Sequence, residues 1–134
     1  MKELNEAVKN LLDEQAFWYV ATCDEDCTPH LITTLFKAVL PSGQLAIARN
    51  FMKTTVANVQ RSGKATICVG KFPAPEGYQV ICSGELVEDG PVVEQFKAVV
   101  AEKTQGRMNC TGALILTPEK IIVNTPGPQN GTEL

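Results

Sequence analysis

The sequence holds a single histidine, His30, and a single tryptophan, Trp18, among its 134 residues. With no acid partner evident for that histidine, no Ser-His-Asp arrangement can be read, so that hydrolytic chemistry is not expected. No Gly-x-Gly-x-x-Gly run occurs, so the dinucleotide fingerprint is missing as well. No apolar stretch approaches the roughly 20 residues that cross a membrane. Basic residues are few: 12 Lys and Arg against 15 Asp and Glu give a net charge of −3. Binding to nucleic acid rests on clustered cations, so nucleic acid is not an expected partner. The N-terminus, Met1-Lys-Glu-Leu-Asn-Glu, lacks the apolar core of a signal peptide, and the expectation is a cytoplasmic protein. The five cysteines (Cys23, Cys27, Cys68, Cys82, Cys110) include no C-x-x-C pair. In a cytosolic chain they are expected to be reduced, with Cys68 and Cys82 as small core residues. Cys23 and Cys27 bracket a turn near His30, but three such ligands do not complete a zinc site, so no metal is expected. None of the five has a Lys or Arg beside it to activate a thiolate.

What is present describes a folded domain. Apolar residues make up 44% and charged residues 20% of the chain, enough for one core and one domain over 1–134. Leu4, Val8, Leu11 and Leu12 recur at helical spacing, predicting an amphipathic helix over 3–14. Strands are predicted over 17–23, 30–39, 45–48, 65–69 and 78–87, with a final hairpin of 111–117 and 120–124 around Pro118-Glu119. A helix runs from about Lys53 to Arg61. Another starts near Pro91, with Asp89 as its cap, and continues to about Lys103. Gly84 is read as a bulge or bend, and the Pro- and Gly-rich tail 125–134 as poorly packed. About seven strands in hairpins with interspersed helices predict a mainly β fold, a small antiparallel barrel with flanking helices.

One segment points to chemistry. Leu45–Ala48 delivers the chain through the turn Arg49–Met52 to a helix start carrying Lys53, Thr54, Thr55 and Asn58. The first N–H groups of a helix lack intrahelical partners and sit at the positive end of its dipole. A cation and hydroxyls added there suit a phosphate. The alternative is a helix that caps itself with threonine and exposes its lysine, and the residues alone leave both open.

The order and spacing of several short motifs resemble a known family. Ala21-Thr-Cys-Asp-Glu-Asp-Cys-Thr-Pro-His30, Thr33-Thr-Leu-Phe-Lys37, Leu45-Ala-Ile-Ala48, Met52-Lys-Thr-x-x-x-Asn58 and Tyr78-Gln-Val…Gly84-Glu85 are similar to the pyridoxamine 5′-phosphate oxidase-like family of FMN-binding split barrels. The resemblance implies a six-stranded split barrel that pairs into a homodimer, with FMN at the dimer interface and a redox role that could involve a further redox partner. It implies that Lys53 and Thr54 hold the phosphate, in a loop that includes Arg49, Asn50 and Met52. Ile47 and Ala48 would line the ribityl chain, and Thr33, Thr34 and Leu35 would meet the polar edge of the ring. Gln79 matches the glutamine of the family's Gln-Val strand. Lys37 matches a lysine that the oxidase directs at its substrate, although a solvated strand lysine is the better reading. The oxidase's C-terminal Arg-rich motif has no counterpart: the helix Phe96–Lys103 is an ordinary amphipathic one and the chain ends in Thr125-Pro-Gly-Pro and a short tail. True pyridoxamine 5′-phosphate oxidation is therefore not expected, and no catalytic residue is assigned. A flavin-storing or sensing protein is the alternative. Some members of the wider superfamily carry haem or a deazaflavin instead, and haem would want His30 as its axial ligand.

Overall fold

The computed structural model describes residues Met1–Leu134. Helix α1 (Glu6–Glu14) starts three residues later than the periodicity suggests, because the Asn5 side chain accepts the Val8 N–H at 2.9 Å and caps it. Strands β1 (Trp18–Cys23), β2 (Pro29–Thr34), β3 (Lys37–Val39) and β4 (Leu45–Arg49) follow. Helix α2 (Thr54–Ser62) ends at Gly63, whose left-handed φ of 68° lets its N–H turn back to the Val59 carbonyl. Strands β5 (Lys64–Lys71) and β6 (Glu76–Val87), helix α3 (Pro91–Thr104) and strand β7 (Gly112–Val123) complete the chain.

All seven strands join one antiparallel sheet in the order β2-β1-β5-β6-β7-β4-β3. The outermost strands, β2 and β3, are separated in sequence by Leu35 and Phe36 alone. Three residue steps reach about 11 Å at most. The sheet therefore has to curl until its two edges meet, which makes it a split barrel. The expected strand 30–39 breaks at this kink, and its halves pair with different neighbours, β2 with β1 and β3 with β4. That break is why seven strands stand where the resemblance implied six.

Four further expectations are corrected. The final hairpin is one continuous strand: β7 pairs with β6 throughout, and Glu119 is an extra residue at a bulge opposite Ile81 and Cys82. Proline is tolerated at 118 because β4 ends its pairing at Leu116, so no neighbour there needs its missing N–H. Gly84 is no bulge. A Cβ there would lie 2.6 Å from Leu116 Cδ2 and 3.4 Å from Val59 Cγ1, so its bareness lets α2 lie on the barrel. Asp89 does not cap α3; Gly90 occupies that position with no side-chain cap, and Pro91 opens the first turn. The tail is held as well. Val123 N–H donates to Thr132 O and Leu134 N–H to Ile121 O, and a bridge joins Ile122 to Glu133 along the edge that β4 leaves free.

The barrel interior is filled by Trp18, Val20, Leu45, Ile47, Ile67, Val80 and Leu114. Two helices add to it, α1 through Val8, Leu11 and Leu12 and α2 through Val56 and Val59. α3 packs outside instead. Leu45 and Ile47 face the interior, whereas the small Ala46 and Ala48 let Val93, Phe96 and Val100 of α3 approach the other face of β4. This double burial explains why Leu45–Ala48 reads as a continuous apolar run rather than an alternating one.

Candidate functional site

The β2–β3 kink and the β4–α2 loop face one another and enclose a cavity of about 220 Å³. Thr33, Thr34, Leu35 and Phe36 form one wall. Ala48, Asn50, Phe51 and Met52 form another, and Phe17, Ile32 and Met108 finish it. The Phe36 carbonyl accepts the Ala48 N–H at 2.9 Å, which ties the two walls at their base.

The β4–α2 loop is itself braced. Arg49 Nε donates to the Met52 carbonyl at 3.3 Å, and the Arg49 carbonyl accepts the Thr111 N–H at 2.9 Å. Lys53 takes the cap position of α2 with φ −110° and ψ −60°, and no side chain satisfies the first N–H groups of the helix. Of the self-capping alternative left open above, the threonine cap does not form, whereas the exposed lysine is present. Lys53 and Thr54 are exposed, with their polar groups free of protein partners. Thr55 and Asn58 are buried and structural. Asn58 Nδ2 donates to Thr22 Oγ1 at 3.0 Å and Asp24 Oδ1 at 2.9 Å, and its Oδ1 accepts from Arg61 Nη1 at 3.0 Å.

Asn50 Oδ1 differs from every other buried side-chain polar atom in the protein. It is shielded from solvent and has no hydrogen-bond partner. An unpaired buried acceptor costs about 1–3 kcal/mol. Asn50 lines the cavity, and its oxygen is the one buried side-chain acceptor that the chain itself leaves unsatisfied.

The other sequence-predicted residues divide by side-chain direction. Thr34 faces the core and its hydroxyl donates to the Trp18 carbonyl at 3.3 Å, so only its backbone can serve the cavity. The Ile47 side chain lies wholly in the barrel core and does not line the cavity. Gln79 is also outside it. It stands on the outer face in the cross-strand row Thr33–Tyr19–Cys68–Gln79, three strands and about 14 Å from Thr33. Trp18 is buried with its indole N–H donated to Leu12 O at 2.8 Å, while Tyr19 turns outward. Lys37 is not simply solvated: its ammonium lies 5.1 Å from the centre of the Trp18 ring. Burial there pushes its pKa down, against the opposing pull of Asp13. His30 faces Thr22 at the opposite end of β2, about 10 Å from Thr33, and is no part of the cavity.

Sequence reasoning missed Phe17, Ile32, Phe36, Phe51 and Met108. Phe51 lies inside the loop singled out above and could have been added from its position. Met108 arrives from the turn after α3, and no local signal connects it to residues 33–52.

A family model for pyridoxamine 5′-phosphate oxidase matches residues 4–124. No curated protein matches the chain. Among solved structures, HupZ of Group A Streptococcus is similar at 22% identity and a TM-score of 0.77, covering 96% of this chain and 99% of its own. An FMN-binding protein of Syntrophomonas wolfei is similar at 16% identity and a TM-score of 0.75, covering 86% of this chain and 82% of its own. HutZ, the haem storage protein of Vibrio cholerae, gives 16% identity and a TM-score of 0.67, covering 91% of this chain and 95% of its own. At these identities the likeness concerns the fold.

Proposed function

The chain belongs to the pyridoxamine 5′-phosphate oxidase family, and from that premise we propose that it binds FMN in the cavity between the β2–β3 kink and the β4–α2 loop, as a dimeric redox flavoprotein. The observation that carries this reading is the unpartnered Asn50 Oδ1. FMN brings donors that an apolar ligand lacks, in its ribityl hydroxyls and its ring N3–H, so the residue set fits the group. Phe17, Phe36, Phe51 and the two methionines offer apolar surface to a flat ring. Lys53, Thr54 and the uncapped N–H groups of α2 offer charge and donors to its phosphate.

A cavity of about 220 Å³ lies below the roughly 300–1,000 Å³ of sites that enclose small ligands whole. A cavity of that size favours a site completed by a second copy of the chain. The outer face of the sheet suits that pairing. Phe17, Tyr19, Leu31 and Leu35 are 45%, 43%, 65% and 59% exposed on or beside it.

When bound, FMN supplies the capacity to accept and return electrons. This chain's residues position it and exclude water; no protein acid or base stands in the cavity to move a proton. The haem reading lacks its ligand there, since His30 lies at the far end of β2.

Flavin fluorescence quenching on titration with FMN tests the site. Wild type is expected to bind, and Lys53→Ala to bind more weakly by about 1.5–3 kcal/mol, the range for a hydrogen bond to a charged group. Failure of wild type to quench flavin fluorescence sinks the proposal. Stopped-flow bleaching of the bound flavin by NADH or NADPH separates a redox protein from one that only holds the nucleotide.

A further inference from the structure

We propose that Cys23 and Cys27 are a modification site: a thiol pair that closes into a reversible intramolecular disulfide across the β1–β2 turn. The backbone brings them together. Cys23 ends β1 in register with Pro29, and Cys27 stands in the short turn that returns the chain, two residues before Pro29. The Asp24 N–H donates to Thr28 O at 2.9 Å and the Cys27 N–H to Asp24 O at 3.0 Å, so the turn is tight. Its last residue, Cys27, has a φ of 67°. A tight turn closed by a left-handed residue is the three-residue hairpin loop that favours glycine, and a cysteine there is uncommon. An unfavourable residue type in such a position points to a role for its side chain.

The side chains agree with the backbone. Cys23 and Cys27 are both exposed, whereas Cys68 is half-buried and Cys82 and Cys110 are buried, so this is the pair an oxidant reaches. Partial desolvation and the neighbouring Cys27 thiol raise the pKa of Cys23, while Arg61 pulls it the other way. The Arg61 guanidinium also donates to the Cys23 carbonyl. No cation adjoins either cysteine in the sequence; this one comes from α2, far along the chain.

The oxidant is a peroxide. One thiol attacks a peroxide oxygen: an S–O bond forms, the O–O bond breaks, water leaves, and the sulfur becomes a sulfenic acid. The second thiol attacks that sulfur: the S–S bond forms, the S–O bond breaks, and a second water leaves. Two thiols thus give up two electrons and two protons, and hydrogen peroxide becomes two waters. A small dithiol reverses the bond by exchange. Because the pKa of Cys23 is raised rather than lowered, the reaction is slow compared with that of a dedicated peroxidatic thiol.

The test is intact mass spectrometry of the wild-type protein after hydrogen peroxide, followed by alkylation and peptide mapping. The expected result is loss of two hydrogens, a bridged peptide containing Cys23 and Cys27, and full reversal by dithiothreitol. Cys27→Ser should abolish the bridge and leave Cys23 as a sulfenic acid trapped by dimedone. Gain of oxygens on separate cysteines in wild type, with Cys23 and Cys27 each alkylated singly, overturns the proposal. So does a bridge that joins two chains. Neither result depends on flavin binding.

Discussion

Asn50 and Asn58 flank the same loop–helix junction and differ only in what surrounds them. Asn58 uses its amide fully, joining β1 and the β1–β2 turn to α2. Asn58→Ala should lower stability by about 2 kcal/mol, because Thr22 and Asp24 lose their donor in a buried setting; urea unfolding measures it. Asn50 has an oxygen with no partner. Asn50→Ala should therefore leave the ligand-free protein as stable or raise its stability by up to about 1 kcal/mol, while weakening FMN binding about tenfold. Opposite signs in urea unfolding and flavin titration identify a residue kept for its ligand. Equal losses in both identify a structural one. Cys82 makes a third case. Burial pushes its thiol from 9.0 up to about 12, with Glu119 adding to the shift. The folded state thus holds this proton more tightly than the unfolded chain does. The associated stability is complete below about pH 9 and is lost as pH rises toward 12. Relative to Cys82→Ala, wild type should lose stability over that alkaline window, and native Cys82 should stay inert to a thiol reagent at pH 8.

Among the elements, the kinked strand 29–39 has the largest consequence. Its halves are the two edges of the sheet, so the bend at Leu35–Phe36 both closes the barrel and opens a wall of the cavity. α2 depends on a different detail. It reaches the barrel over Gly84, where an added methyl would lie 2.6 Å from Leu116 Cδ2, so this fully buried side chain would have to shift. Gly84→Ala should cost about 1–3 kcal/mol, the usual range for overpacking. The loss appears as a lower urea midpoint with an unchanged slope if only packing is disturbed. A substitution that proves neutral would mean that α2 can shift outward without loss.

At the scale of the whole molecule, the outer face of β2 and β1 is more apolar than a surface facing only water needs to be. On the proposal of pairing across it, Leu31→Glu combined with Tyr19→Glu should give a monomer in sedimentation and weaken FMN binding, with the barrel itself intact by circular dichroism. A dimer that survives both changes places the contact elsewhere. Because Leu31 and Tyr19 do not line the cavity, loss of binding in this variant reports on the missing second copy and not on damage to the pocket.

Local chemistry was enough to determine much of this. Helical spacing in α1, the apolar run of β4 and a helix start near Lys53 are all written within a few neighbouring residues. Six cavity residues, Thr33, Thr34, Leu35, Ala48, Asn50 and Met52, were legible through the resemblance of the motifs that carry them. Side-chain direction and long-range closure were not. Ile47 and Thr34 turn inward because the pleat assigns them to the core. Gln79 sits three strands away because β5 and β1 intervene, and Met108 joins the cavity only because α3 returns the chain to β4. A strand's pattern shows that its faces differ. Which face meets the core, and which distant residue stands opposite, is settled only when the sheet curls and its edges meet.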